Sequence, residues 1–411
     1  MAESRLYRIL SECPKPIFQV SHTGGLTLHD NEIMSITINR GSSEPNPPLS
    51  PTTMEVLMPG YAGIAKGETL TCDLTTAAAN WIAGKFGGSS SLIKPRYYGR
   101  VGQQKISDHG AYQRTSNITA VSWTALLEDD PHEFPAWSGS NVGEYVKVLM
   151  TRNYGDFKNP TRMDSLGMFG TIYETENGGT YSDRIKKYAD DYGLFIREYR
   201  HGQPQIFTLA GRKSRAITAS QSLMPLSRSQ ALAPAEWQQL DERYQKNNRI
   251  IYRNNSGAIE SRTWGSPADE NRPLVEHDLK NIVVNNTQVT MLGESYQRRE
   301  WFGAYEIPEV TVDLLYLAST GRTADQQQIG QLLDLNPGDP VLLADDWPTH
   351  VRGVLFAEGI KEQITPDSWT MTLSLVRFDN VTGEDSPSVR PRTWDQAGYE
   401  WNQAPGQWDD Y

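Results

Sequence analysis

Metal, nucleophilic and acid–base chemistry each demand characteristic spacings, and this sequence holds none of the familiar ones. Its seven histidines, His22, His29, His109, His132, His201, His277 and His350, never fall three to five residues apart. No helical turn can therefore present two imidazoles to one metal ion. Cys13 and Cys72 are the two cysteines; neither lies at zinc spacing from a histidine, and two are too few for a disulfide framework. There is no G-x-S-x-G elbow and no P-loop. Adjacent acids occur at Asp129-Asp130, Asp190-Asp191, Asp345-Asp346 and Asp409-Asp410. A glycosidase needs its two carboxyl groups about 5–10 Å apart across a cleft, which adjacency does not supply. Asp339, Asp345 and Asp346 lack an EF-hand frame for calcium. No catalytic, cofactor-binding or metal-ligating residue is expected, and the chain reads as a non-enzyme.

Aromatic and charged residues remain. The sequence carries 11 Trp and 19 Tyr, enough to consider sugar stacking. Trp123, Trp301 and Trp369, however, sit in strand-like runs, where burial is the commoner fate. Trp394, Trp401 and Trp408 recur every seven residues in a stretch with no other periodicity. Over 379–411 there are seven acids, two bases and three prolines, a composition that cannot build its own core. Trp394, Tyr399, Trp401, Trp408 and Tyr411 are read as anchors of an extended tail that docks on a partner, the alternative being a fold back onto its own β-structure. Between Lys85 and Arg114, six basic residues meet Asp108 alone. That segment reads as a solvated hairpin or a contact with an acidic neighbour. Contact with DNA, stacked on Tyr97, Tyr98 and Tyr112, is the other option.

The elements that must position these residues are mostly strands. Gly and Pro number 34 and 24, and hydrophobic residues make up 37% of the 411, which favours short strands and turns. A net charge of −11 argues against sequence-independent nucleic-acid binding. No run of about 18 apolar residues offers a membrane span. The first 16 residues lack a signal-peptide core, so folding in a reducing cytoplasm is expected. Alternation predicts strands in EIMSITINR, ETLTCDLT, SNITAVSWT, RIIYRN (249–254), NIVVNN (281–286), QVTML (288–292) and SWTMTLSLVRF. Helical spacing predicts a helix over 141–150, capped by Asn141 and Glu144. A second should start at Thr180, with Asp183 in its first turn and Tyr181, Ile185, Tyr188 and Tyr192 inward, and a third spans 323–333. LFIREYRHGQPQIFTL predicts a hairpin around Arg200-His201-Gly202-Gln203. Residues Ser214 to Pro234 read as a connector.

Four segments carry a family resemblance: DLKNIVVNN (278–286), SYQRREWFG (295–303), LNPGDPVLLADD (335–346) and GIKEQITPDSWTMTLSLVRF (359–378). They resemble the baseplate-hub and minor tail proteins of long-tailed bacteriophages, particularly those infecting actinobacteria. In that family a Pro-Gly-Asp turn and a D-x-W-T-x-T-L strand close the last barrel. SYQRREWFG corresponds to a strand end and turn, from which this sequence departs at Arg298–Phe302. The resemblance implies a mainly β fold with α+β insertions: two tube-like barrels over 1–125 and 240–378, the second with a helical insertion near 323–333. It further implies an α+β insertion over 126–215, a connector over 216–239 and the extended tail over 379–411. The implied role is structural: a homotrimeric ring at the virion's tail tip, assembled in the host cytoplasm, joining tail tube to tip around the DNA exit channel. Implied partners are distal tail and tube proteins, other minor tail or tip proteins and, within the lumen, the tape-measure protein or genome. None of the four segments is a catalytic motif. The alternatives are a receptor- or glycan-binding tip protein, or a wall-degrading tail enzyme.

Overall fold

The alternation in EIMSITINR and SWTMTLSLVRF builds two strands of the largest sheet. The structure is a computed structural model. It describes residues 4–25, 27–42, 51–60, 63–108, 114–126, 145–146, 149, 162–163, 171–172, 180–192, 194–200, 202, 204–232, 238–239, 247–264, 273–301, 305–348 and 352–378. From the first part of the chain come β1 (Phe18–His22), β2 (Thr27–His29), β3 (Ser35–Gly41), β4 (Thr53–Pro59), β5 (Thr69–Leu74), β6 (Pro95–Asp108) and β7 (Arg114–Val121). They pair in the order β2-β1-β5-β6-β7-β4-β3. From the last part, β18 (Gly353–Thr365) pairs with β3, then β19 (Ser368–Arg377), β16 (Tyr305–Asp313) and β12 (Gln238–Gln239) follow, and β17 (Pro340–Leu343) also pairs with β18. Every pairing is antiparallel. The fold is mainly β, with one curled twelve-stranded sheet joining both ends of the described chain.

The seam between the two groups runs in register from Ile36↔Ile364 to Gly41↔Gly359. Gly41 has φ 75°, and a Cβ on it would collide with the Glu358 carbonyl. A Cβ on Gly359 would strike the Ser42 carbonyl. Two backbones this close leave room for glycine on both sides.

The inward residues of β3 (Ile36, Ile38, Arg40) are buried and their neighbours half-buried, as a one-sided strand requires. Inside the curl the same periodicity collects Met54, Val56, Leu70, Leu74, Ile118, Met371 and Leu373 into the main core. Helices close it: α1 (Arg5–Ile9), α2 (Thr76–Phe86) and α3 (Ser90–Ile93) early in the chain, α8 (Leu314–Ser319) and α9 (Thr323–Asp334) late. Fully burying each Leu or Ile here contributes about 1.5–3 kcal/mol.

A second core lies against a four-stranded sheet of order β14-β13-β15-β9, formed by β14 (Ile259–Trp264), β13 (Asn247–Arg253), β15 (Leu274–Val283) and β9 (Thr171–Ile172). Ile250, Tyr252 and Leu279 meet Tyr181, Ile185 and Tyr188 of α5 (Tyr181–Tyr192) and Val289, Leu292 and Tyr296 of α7 (Asn286–Trp301). Helix α5 begins as its sequence predicts: Thr180 and Asp183 exchange backbone-to-side-chain hydrogen bonds at 3.1 and 3.2 Å. The predicted hairpin is present as β10 (Phe195–Glu198) and β11 (Pro204–Phe207), with β8 (Arg162–Met163) beside it. Of the predicted 141–150 helix, Tyr145, Val146 and Leu149 are helical and buried; the other positions lie outside the described residues.

Several sequence expectations change. QVTML is helical, not a strand, and so is SYQRREW: Asn285 and Gln288 form a capping box at 2.8 and 2.9 Å that starts α7. The β-branched residues of QVTML obscured the 3.6-residue spacing of Val289, Leu292 and Tyr296. The first part of the Ser214–Pro234 connector belongs to α6 (Leu209–Ser222), whose Leu, Ala, Arg and Lys residues favour a helix and whose Arg212 and Ala216 are buried; the serines and the prolines beyond it hid that signal. The opening region also holds α2, capped by Thr75 onto the Ala78 N–H. β7 ends at Val121, so Trp123 opens α4 (Trp123–Leu126), and Trp301 closes α7.

Candidate functional site

The five docking candidates, Trp394, Tyr399, Trp401, Trp408 and Tyr411, lie outside the described residues, as do Asp129, Asp130, Asp409, Asp410 and Tyr112. The basic segment does not form one face. Arg96 points inward and is fully buried, and Tyr97 is buried beside it. Lys85 meets Glu12 at 3.8 Å, Lys94 donates to Thr76 Oγ1 at 3.0 Å, and Arg114 pairs with Asp108 at 3.3 Å. Net charge read along the sequence counted Arg96 as surface, whereas the β5–β6 register shift between Cys72 and Asp73 makes it the extra residue of a bulge, and it is buried. The Asp339, Asp345 and Asp346 carboxylates serve turns: Asp339 accepts the Asn336 N–H at 2.9 Å and Asp346 the Arg228 N–H, while Asp345 faces Arg352 at 3.6 Å. Among the described residues, no three His, Cys, Asp or Glu side chains converge as a metal site, and no helix is long and apolar enough to cross a membrane.

What the folded chain does bring together is a set of buried ions where the hairpin meets the sheet. The β10–β11 hairpin is buried on both faces. Ile196 and Ile206 enter the second core, whereas Phe195 and Phe207 enter a third with Val354, Phe356, Val376 and Phe378. Opposite them, the β18–β19 register shifts between Ala357 and Gly359, which leaves Glu358 as the extra residue of a β-bulge. A bulge re-aims a side chain. Glu358 turns under the hairpin and accepts hydrogen bonds from Arg197 and from Arg212 of α6. The Arg212 guanidinium also lies 4.2 Å and 4.3 Å from the Phe195 and Phe356 ring centres, a cation–π sandwich. Burial pushes the Glu358 carboxyl up, but Arg212 and Arg197 outweigh it and hold the group below its ordinary range. Burial draws Arg212 itself down to about 10.

Past the bulge, Glu362 faces the main core. Arg96 Nε donates to both its oxygens at 3.1 Å and Arg96 Nη2 to Oε2 at 2.6 Å. Trp369 Nε1 adds a bond at 3.0 Å and Arg40 Nη2 one at 3.4 Å. This fork is the strong charge-assisted geometry, and it binds β6, β3 and β19 to one carboxylate. Burial is again outweighed by Arg96 and Arg40, so Glu362 stays ionised below its ordinary range. Burial and the neighbouring Arg96 draw Arg40 down to about 9. At the hairpin tip, Arg200 donates to the Leu92 and Leu335 carbonyls, both at 2.9 Å, tying the hairpin to the ends of α3 and α9.

Glu198 differs from both. It is buried to 1% exposure, and its oxygens accept the Thr52 N–H at 3.1 Å and the Thr124 N–H at 3.3 Å. Burial pushes its carboxyl up to about 7, only partly offset by those bonds. None of these groups was legible as a site: apart from Trp369, each partner lies tens to hundreds of residues away.

The arrangement offers binding between pieces of one chain and no evident chemistry. Its architecture recurs elsewhere. The 43 kDa tail protein of prophage MuSo2 from Shewanella oneidensis superposes with a TM-score of 0.58 at 14% identity, covering 89% of this chain and 99% of that one. A tail protein from Neisseria meningitidis MC58 gives 0.57 at 12% identity, covering 89% and 98%. The chain has the fold of these tail proteins. No protein-family model and no curated protein matches the sequence.

Proposed function

We propose that this chain is a structural subunit of a bacteriophage-type tail tip. The observation that carries this reading is the likeness to two tail proteins along nearly their whole length. It is supported by the sheet itself, which builds strands from both ends of the described chain into one continuous curved wall. The subunits form a homotrimeric ring around the DNA exit channel, with the twelve-stranded sheet as its wall. A sixfold tube meets a trimer when each subunit offers two tube-like units, and heterologous contacts then close the ring. Distal tail proteins and other tip proteins are the partners, and the genome or tape-measure protein passes through the lumen. Trp394, Tyr399, Trp401, Trp408 and Tyr411 anchor the 379–411 tail on a neighbouring subunit or tail protein. The chain works as scaffold rather than enzyme.

Electron cryomicroscopy of assembled particles carrying a tagged copy tests this reading. Density for three copies at the distal end of the tube is expected. A sixfold or twofold arrangement, or density elsewhere in the particle, overturns it.

A further inference from the structure

Glu198 stands at a crossing. Thr52 immediately precedes β4, and Ser122 and Thr124 bracket the exit of the chain from β7 into α4. The carboxylate of one hairpin residue thus fastens the two places where the backbone arrives at and leaves the large sheet on this side. Ser122 Oγ completes the junction by accepting the Thr52 N–H at 2.9 Å and pairing with Thr124 Oγ1 at 3.1 Å.

Among the described residues, both other buried glutamates of this joint are clamped by arginines, and Glu198 is not. On its own hairpin, Arg197 is committed to Glu358 and Arg200 to two carbonyls. From β3, which packs on β10, Arg40 turns to Glu362. The segments at Thr52 and at Ser122–Thr124 supply hydroxyls and N–H groups, which carry no charge. From β6 comes Tyr97, a buried phenol raised well above its ordinary range, first by burial and then by Glu198 itself. Its hydroxyl has no hydrogen-bond partner among the described residues. A buried carboxylate without a cation is costly, which favours its neutral form.

We propose that Glu198 is a proton-responsive latch that holds the hairpin unit to the large sheet, gripping more tightly as the pH falls below neutral. The direction follows from linkage. The folded carboxyl titrates near 7 and an unfolded one near 4.5, so between these values the closed state holds more protons than the opened one. Closure is favoured fully below about 4.5, and that advantage is lost as the pH rises through about 7. Between pH 6 and pH 8, such a pair of values changes the opening equilibrium about tenfold.

Hydrogen exchange on the full chain, followed by mass spectrometry and corrected for intrinsic rates, reads this directly. Amides around Thr52, Thr124 and β10 should exchange about tenfold faster at pH 8 than at pH 6. Glu198→Gln, which imitates the neutral state, should exchange slowly at both. Wild-type exchange that is flat from pH 5.5 to 8.5 overturns the proposal whether or not the variant folds. So does a Glu198→Gln variant that folds and keeps the wild-type pH dependence.

Discussion

The interior of the curled sheet and the joint beneath the hairpin are equally buried, yet opposite means hold them. In the curl, side chains such as Ile38, Met54, Val56 and Met371 are interchangeable in kind, because apolar burial has no direction. At the joint, Arg40 and Arg96 meet Glu362, Arg197 and Arg212 meet Glu358, Arg200 meets two carbonyls and Glu198 two backbone N–H groups, and each contact depends on angle and partner. Buried ion pairs add little net stability over well-packed apolar groups, but breaking one is expensive. The contrast teaches that the core supplies cohesion while the joint specifies which pieces meet and in what register.

The sharpest way to break this comparison is Glu362→Ala. It leaves Arg96 and Arg40 buried and facing each other, and should cost about 3–5 kcal/mol in urea denaturation. Because Glu362 is held below its ordinary range, its contribution is present above the unfolded carboxylate value and is lost as the pH falls through the folded one. The difference between wild type and variant should therefore shrink in acid. A loss below 1 kcal/mol would mean that the two arginines find water, and the specifying role would fail. Met371→Ala in the apolar interior should cost about 2–5 kcal/mol, whereas Met371→Leu should cost less than about 1.5, since volume rather than direction matters there. If the two are equally damaging, the curl is more directional than claimed. Gly359→Ala places a methyl against the Ser42 carbonyl at the seam and should cost about 1–3 kcal/mol, read as a lowered melting temperature. At the exposed end of the scale, Arg249→Ala removes a half-exposed pair with Glu276 at 3.1 Å and should shift stability by less than about 1 kcal/mol.

The same contrast decides what could be read from sequence. Apolar alternation is a local signal, so β3, β13 and β19 were visible, as were α5 with its Thr180–Asp183 cap and the β10–β11 hairpin. Where a local signal misled, a cap or the wider sequence decided: QVTML looks extended until Asn285 and Gln288 cap it, and the helical residues of α6 run into a Ser/Pro-mixed stretch that reads as a connector. The joint was invisible for a stronger reason. Arg96 and Glu362 are 266 residues apart, and a lone arginine in a basic segment carries no mark of the carboxylate awaiting it. The bulge that turns Glu358 inward also depends on the partner strand, not on any residue's type.

The seam between β3 and β18 also sets an order of events during synthesis. Arg40 and Glu362, on opposite sides of it, are 322 residues apart. At a translation rate of roughly 5–20 residues per second, about 15–60 s pass between their emergence from the ribosome. For that interval β3 is a sheet edge with unpaired N–H and C=O groups, open to any extended segment that drifts past. The nascent first region thus waits with an adhesive border that the last strands of its own chain are shaped to cover. Gly41, with no side chain to hold a stranger off or a partner away, keeps that border bare until they arrive.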